Sequence, residues 1–383
     1  MGGRRRGLVG VTVAVLSVVM SAPPAGASHA PVTWAVVPSP SPNDVITGLT
    51  GVSCLSATSC VAVGSNWEEV AQTLIESWDG VSWTVVPSPN QGTSDNQLDS
   101  VSCSAPSNCV AVGTAATGGP GDESALIESW DGAHWTIAAN PQDGTLSNDL
   151  RSVSCPGPST CVAVGNYDAE TAGGDISQPL IETWNGVSWT IGTGVNDISD
   201  AQGLSGVSCA GLTNCMAVGF DNPSPYNEQA LAETWNGSTW SSAPLPTIQV
   251  KPALTGVSCI AATTTCVAAA GLNAESWNGT SWSGEAGIPS HKNSQFGGIS
   301  CVSTTSCVVV GNYATSTKKQ TPPTRTLVAT LTGTQWKKTK SPNPAKQQDG
   351  LDDVSCLSAT SCVAVGSDDE ATADKTLVLM SGG

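Results

Sequence analysis

Four neighbouring segments decide the fold: Leu49-Thr-Gly-Val-Ser-Cys54, Cys60-Val-Ala-Val-Gly64, Leu74-Ile-Glu-Ser-Trp78-Asp-Gly80 and Val81-Ser-Trp83-Thr-Val-Val86. Each is short, rich in β-branched residues and bounded by Gly, Pro, Asn or Asp, which is the pattern of four strands in a meander. No segment shows helical periodicity of useful length. The unit recurs with its cysteines in pairs: Cys54 with Cys60, Cys103 with Cys109, Cys155 with Cys161, Cys209 with Cys215, Cys259 with Cys266, Cys301 with Cys307 and Cys356 with Cys362. First cysteines are 49, 52, 54, 50, 42 and 55 residues apart, a period of propeller-type arrays and too long for most solenoids. Units start near residues 49, 98, 150, 204, 254, 296 and 351.

The two ends of the chain complete each other. The seventh unit stops at Leu377-Val-Leu-Met-Ser-Gly-Gly383, after its third segment. Its missing fourth segment matches Val32-Thr-Trp34-Ala-Val-Val-Pro38-Ser-Pro40, which repeats Val81-Ser-Trp83-Thr-Val-Val-Pro87-Ser-Pro89 almost residue for residue. Pairing the N-terminal segment (31–38) with the last unit closes a ring and removes two open sheet edges. The expectation is an all-β, seven-bladed propeller over 28–383, built of four-stranded antiparallel blades.

Repeats of the form V-S-C-x5-C-V-A-V-G followed by E-S/T-W-N/D-G-x-x-W resemble a group of secreted bacterial propeller proteins of undefined activity, over residues 31–383. The W-D/N-G-x-x-W turn is also similar to the Asp-box of sialidase-like propellers and to turns of propeller lectins. It departs from the Asp-box, which has one residue between Asp and Gly, so the resemblance does not imply sialidase activity.

Residues 1–27 have the form of an export signal: Arg4-Arg5-Arg6, an apolar run from Leu8 to Met20, and Ala25-Gly26-Ala27 at the end. The run is shorter than the ~20 residues needed to span a bilayer, so cleavage and secretion are expected rather than a retained anchor. General secretory export is favoured over a twin-arginine route. Removing these three Arg leaves 11 Lys+Arg against 31 Asp+Glu, a net charge of −20 rather than −17. Such a surface excludes a nucleic-acid partner unless its cations cluster, and no later segment is apolar enough to cross a membrane. A monomer is expected.

In an oxidising compartment each cysteine pair is expected to form an intrablade disulfide. Metal binding by the same spacing is the competing reading, weakened by the absence of His partners. No cofactor is expected; Ca²⁺ bridging of acidic loops such as Ser367-Asp-Asp-Glu370 stays open, without a complete Ca²⁺-loop motif. Tryptophans fall in pairs, Trp78 with Trp83, Trp130 with Trp135, Trp184 with Trp189, Trp235 with Trp240 and Trp277 with Trp282, whereas Trp34 and Trp336 are single. Asp79-Gly80, Asp131-Gly132, Asn185-Gly186, Asn236-Gly237 and Asn278-Gly279 suit two-residue type I′ turns. That turn places Glu76 opposite Trp83, and Glu128, Glu182, Glu233 and Glu275 likewise. An indole beside a carboxylate suits a sugar; repetition in successive blades favours packing between blades instead.

Function is then sought where the repeat breaks. The segments after the second strand differ from unit to unit: Ser65–Thr73, Thr114–Ala125, Asn166–Pro179, Phe220–Ala230, Asn312–Thr326 and Ser367–Lys375. They belong to one face, the expected binding face. At the entry of the first strand Asp99, Arg151, Asp352 and Asp353 stand where other units have Ser, Thr or Gly, which makes them the candidate binding residues at the channel mouth. Blade six carries Lys318, Lys319, Arg325, Lys337, Lys338, Lys340 and Lys346, 7 of the 11 remaining cations. The leading expectation is a non-catalytic binding protein for glycans or cell-surface polymers. One alternative is a polysaccharide hydrolase or lyase using channel-mouth acids, and another is an extracellular scaffold for protein partners. With only Arg151 and Arg325 beyond the signal, a sialidase-type Arg triad is impossible. Of His29, His134 and His291, His134 lies in a repeated turn, so only a carboxylate-pair mechanism survives for an enzyme.

Overall fold

A computed structural model describes residues 2, 32–42, 46–116, 118, 123–141, 146–171, 174–195, 201–222, 228–245, 253–284, 287–291, 293–316, 322–345, 347–370 and 373–382. The expected signal segment lies outside them apart from Gly2, as do Lys318, Lys319 and Lys346. No helix among the described residues is long and apolar enough to cross a membrane.

The chain forms seven four-stranded antiparallel sheets, each in sequential order from an inner first strand to an outer fourth. The inner strands are Ile46–Ser56, Asn96–Ala105, Asn148–Gly157, Ala201–Gly211, Leu254–Cys259, Ser294–Ser303 and Gln348–Ser358. The last sheet takes its outer strand from the N-terminus: Thr33–Val36 pairs with the C-terminal strand in the register Thr33↔Gly382 to Val36↔Leu379. The ring closes as the matching ends required.

Apolar side chains make no central core. They fill seven clusters, each shared by two adjacent blades: Val63, Ile75, Leu98 and Trp135 between blades one and two, and Trp34, Val310, Leu351 and Leu379 between six and seven. One tryptophan per blade (Trp34, Trp83, Trp135, Trp189, Trp240, Trp282, Trp336) is buried to 7% exposure or less.

All seven expected disulfides form across the first hairpins. Cys54 bonds to Cys60, Cys103 to Cys109, Cys155 to Cys161 and Cys209 to Cys215. Cys259 bonds to Cys266, Cys301 to Cys307 and Cys356 to Cys362, and across the set the Cα atoms are 3.9–4.1 Å apart. The second cysteine of each pair, Cys60, Cys109, Cys161, Cys215, Cys266, Cys307 and Cys362, is buried to 3% exposure or less. These sulfurs are packed into the interblade clusters as oxidised pairs, so they are structural staples and no free thiol is left to ligate a metal.

The serine of each V-S-C triplet is part of a closed circle. Cys54 N–H donates to Ser355 Oγ, Cys103 N–H to Ser53, Cys155 N–H to Ser102, and the series continues through Ser154, Ser208, Ser258 and Ser300 at 2.9–3.1 Å. Seven hydrogen bonds thus run from blade to blade around the channel.

Two expectations are corrected. The outer hairpin turn is four residues long, not two: Trp78 faces Trp83, and Glu76 faces Val85 rather than Trp83. Asp79 Oδ1 accepts the N–H groups of Val81 and Ser82 at 2.8 Å, and only Gly80 has a positive φ, 96°. A type I′ turn needs positive φ at both central residues, whereas the carboxylate of Asp79 satisfies the loop N–H groups directly. In consequence the paired indoles pack on each other, tilted, with ring centroids 5.5–5.8 Å apart, and not on the carboxylate.

Candidate functional site

Every inner strand is irregular near its start, between Leu49 and Gly51, Leu98 and Ser100, Leu150 and Ser152, Leu204 and Gly206, Leu254 and Gly256, Phe296 and Ile299, and Leu351 and Asp353, and all but the fifth are irregular again beside the disulfide. The residue left unpaired at the first irregularity is Thr50, Asp99, Arg151, Ser205, Thr255, Gly297 (with Gly298 beside it) or Asp352. A bulge re-aims its extra side chain out of the sheet's regular alternation. All seven bulge residues line one central cavity of ~490 Å³, together with Asp353. The structure therefore brings the four candidates Asp99, Arg151, Asp352 and Asp353 to a single cavity. It also supplies the reason Asp99, Arg151 and Asp352 escape the repeat: as bulge residues they have no partner in the sheet ladder.

The cavity is polarised. Asp352, Thr50, Asp99 and Arg151 follow one another on blades seven, one, two and three, whereas blades four to six contribute Ser205, Thr255 and Gly297. Arg151 makes no ion pair with the channel acids, although its charge opposes the rise of the Asp99 pKa. Its Nε donates to Asp149 Oδ2 of its own strand at 2.7 Å. Asp353 is part of the frame, accepting Val52 N–H on Oδ2 at 2.9 Å, the same interblade contact that Ser100 and Ser152 make elsewhere. Asp352 is exposed, Asp99 and Asp353 half-buried. Their exposure is to water confined by the surrounding blades, so the charged form is poorly solvated. Burial pushes Asp99 up to about 7, helped by the nearby charge of Asp149. It pushes Asp353 to about 7 and Asp352 to about 6. These carboxyls exchange protons near neutrality, and among the described residues no cation is bound to them in an ion pair.

The repeated glutamates are structural. Glu76, Glu128, Glu182 and Glu233 have no exposure, and Glu275 has 5%. Each of the first four accepts from the segment leaving the preceding blade: Ser39 Oγ at 2.6 Å, Ser88 Oγ at 3.0 and 3.1 Å, Asn140 Nδ2 at 3.4 Å and Val195 N at 3.1 Å. Buried in this way, the five glutamates are out of reach of a ligand at the surface.

Trp67 falls outside the repeat. It ends the second strand of blade one on the variable face and is 51% exposed. The segments expected to be loops there are largely strand: in blade one the ladder runs to Trp67↔Ala71, and in blade three to Thr171↔Gly174. The opposite face carries the disulfide loops, 55–59, 104–108, 156–160, 210–214, 260–265, 302–306 and 357–361, which contain no charged residue. Among the described residues no group of three or more His, Cys, Asp or Glu side chains is placed to hold a metal ion. The Asp369 and Glu370 side chains of the acidic loop in blade seven lie outside the described set.

Comparison with protein families gives no match, and comparison with curated proteins gives none. Solved structures do match. YCF48 bound to a D1 peptide superposes with a TM-score of 0.55 at 13% identity, covering 91% of this chain and 96% of that one. YCF48 from Cyanidioschyzon merolae gives 0.54 at 13% identity, covering 91% and 98%. A protein of unknown function from Dyadobacter fermentans gives 0.51 at 10% identity, covering 91% and 97%. At these identities the likeness is one of fold, a seven-bladed β-propeller.

Proposed function

We propose that this is an exported, non-catalytic binding propeller whose partner is a polypeptide segment seated over the channel mouth on the variable face. One observation carries the reading: the bulges aim Asp99 and Asp352 into a ~490 Å³ cavity in which Arg151 is already engaged by Asp149. A Lys or Arg side chain entering the mouth would supply the missing countercharge in a water-poor setting, where such a pair is stronger than at an open surface. A fold neighbour, YCF48, holds a peptide. Export is supported by the signal-like residues 1–27 and by seven disulfides, bonds that persist in oxidising compartments.

The test is a peptide array probed with the oxidised protein and with Asp99→Asn and Asp352→Asn variants. The expected result is capture of Lys- or Arg-bearing peptides, weakened about tenfold in the double variant, roughly the 1.4 kcal/mol of one lost charged contact. Unchanged capture by the double variant would sink the reading. Glycan binding is the second reading, favoured by the exposed indole of Trp67; binding on a glycan array that disappears in Trp67→Ala would establish it. Hydrolysis of a polysaccharide, lost in Asp99→Asn or Asp352→Asn, would instead assign the channel acids to catalysis.

A further inference from the structure

Blade five breaks the repeat for a reason visible at one atom. The glycine ending V-A-V-G lies against the inner strand, and a Cβ on it would meet a backbone carbonyl oxygen: 1.9 Å from Gly48 O at Gly64, 2.0 Å from Gln295 O at Gly311. In six blades the glycine lets the inner strand continue two or three residues toward the variable face. Blade five has Ala270 there, paired with Leu254. Its inner strand starts at Leu254, and its second and third strands turn back at once, through Gly271 (φ 55°) and Leu272. The strands of blade five therefore end earlier on the variable face than those of its neighbours.

The segment entering blade six packs on this shortened end, with Ile288 N–H donating to Leu272 O at 3.0 Å. It presents His291, whose ring stacks on Tyr313 at 3.8 Å between centroids and 20° between planes. Lys338 Nζ lies 4.5 Å from the centre of the Tyr313 ring and hydrogen-bonds His291 Nε2. The lysine's partner is thus a neutral base. No ion pair among the described residues engages Lys337, Lys338 or Lys340. Arg325, opposite Tyr313 in the sheet, is neutralised by Asp349.

We propose that the cluster of Lys338 and His291 on the Tyr313 ring, at the side of blade six next to blade five, is an oxyanion site that binds a sulfate, phosphate or carboxylate group. While Lys338 donates one N–H to His291 Nε2 it keeps two for the ligand, and the neutral ring donates from Nδ1; protonation of Nε2 releases Lys338 and makes both ring nitrogens donors. The flanking Lys337 and Lys340, both exposed, extend the positive strip along the outer strand of blade six. This inference does not depend on the channel reading, since no residue is shared. Without an anion, burial and the adjacent Lys338 charge hold His291 below its ordinary pKa, and burial lowers Lys338.

The experiment is an NMR pH titration of the histidine ring protons at fixed ionic strength, in chloride, then in sulfate, phosphate and glucuronate. His291→Gln assigns the resonance, and His134, in the turn of blade two, is the internal control. The expected result is a rise in the His291 midpoint of at least about half a unit in one of the three anions, absent in Lys338→Met and in Tyr313→Leu, with His134 unmoved. The same midpoint in chloride and in all three anions overturns the site, as does an equal shift of His134, which would mean screening alone. A sulfated oligosaccharide binding tenfold tighter than inorganic sulfate, with the gain lost when Lys337→Met and Lys340→Met are combined, marks a polymer as the source; equal affinity marks the free ion.

Discussion

Glu128 shows how much one buried side chain controls. Its carboxylate has no exposure and only the Ser88 hydroxyl to hold it. Burial pushes it up to about 8, and Glu76 and Glu182 to about 7. In the unfolded chain these groups titrate near 4.3. The native state therefore binds more protons over the interval between, and stability falls as pH rises from about 4.5 to 8. The melting temperature is expected to be higher at pH 5 than at pH 8. Glu128→Gln, which imitates the protonated form, should raise it at pH 8 and flatten the profile; a melting curve that instead rises with pH would refute the assignment. Asp79 and Asp131 act in the opposite sense, held low by loop N–H groups, but both are fully exposed. This behaviour was only half legible in sequence. Repetition of the Glu marked it as structural, but its donor comes from a segment with no fixed motif, Ser39 in one blade and Asn140 in another.

At the scale of the element, the first hairpin of each blade depends on close backbone approach. Gly64→Ala would force a Cβ to within 1.9 Å of Gly48 O. Overpacking costs about 1–3 kcal/mol, and a rigid carbonyl on the other side places this site at the upper end, to be read from chemical denaturation. The same hairpins are stapled by disulfides. Closing so short a loop is worth roughly 2 kcal/mol in the chain-entropy account, and replacing both Cys103 and Cys109 by Ala should lose about that much. The buried end of Arg325 matters as well: Asp349 has no exposure and is neutralised at 3.2 Å by its guanidinium. Arg325→Met should cost about 3 kcal/mol by stranding that charge, and adding Asp349→Asn should recover part of it. The cysteine spacing made the hairpin visible in sequence. The bulge was invisible, because an extra residue in a ladder changes no residue type, only what faces what.

Across the whole molecule, stability is distributed around a circle of seven interblade cores and seven Ser–Cys contacts, so no blade stands alone. The ring is closed by pairing rather than by a covalent link at one place only, the strand Thr33–Val36. Its exit segment is held as other exits are: Thr376 Oγ1 donates to Pro40 O at 3.0 Å, as Thr73 does to Pro89 O and Thr326 to Pro342 O. Removing residues 28–41 should open blade seven, expose the cluster around Leu379, and lower the melting temperature by more than any single substitution above. Adding back a peptide of 31–41 should restore part of it. On the same scale the disulfide loops are uncharged, whereas the acids of the channel and the lysines of blade six lie on other parts of the ring.

Period, cysteine spacing and the matching ends determined by themselves that this chain is a closed seven-bladed ring with one staple per blade, because those features are repeated and local. Tertiary structure alone decided what the non-repeating residues do. Asp99 and Asp352 point into the channel because a bulge turns them there, and Arg151 is occupied because Asp149 lies beside it. His291, Tyr313 and Lys338 meet because the segment entering blade six, its second strand and its outer strand come together at one place. Such meetings depend on registers and on the ends of strands, which follow from contacts between segments far apart in the chain and leave no mark in either segment alone.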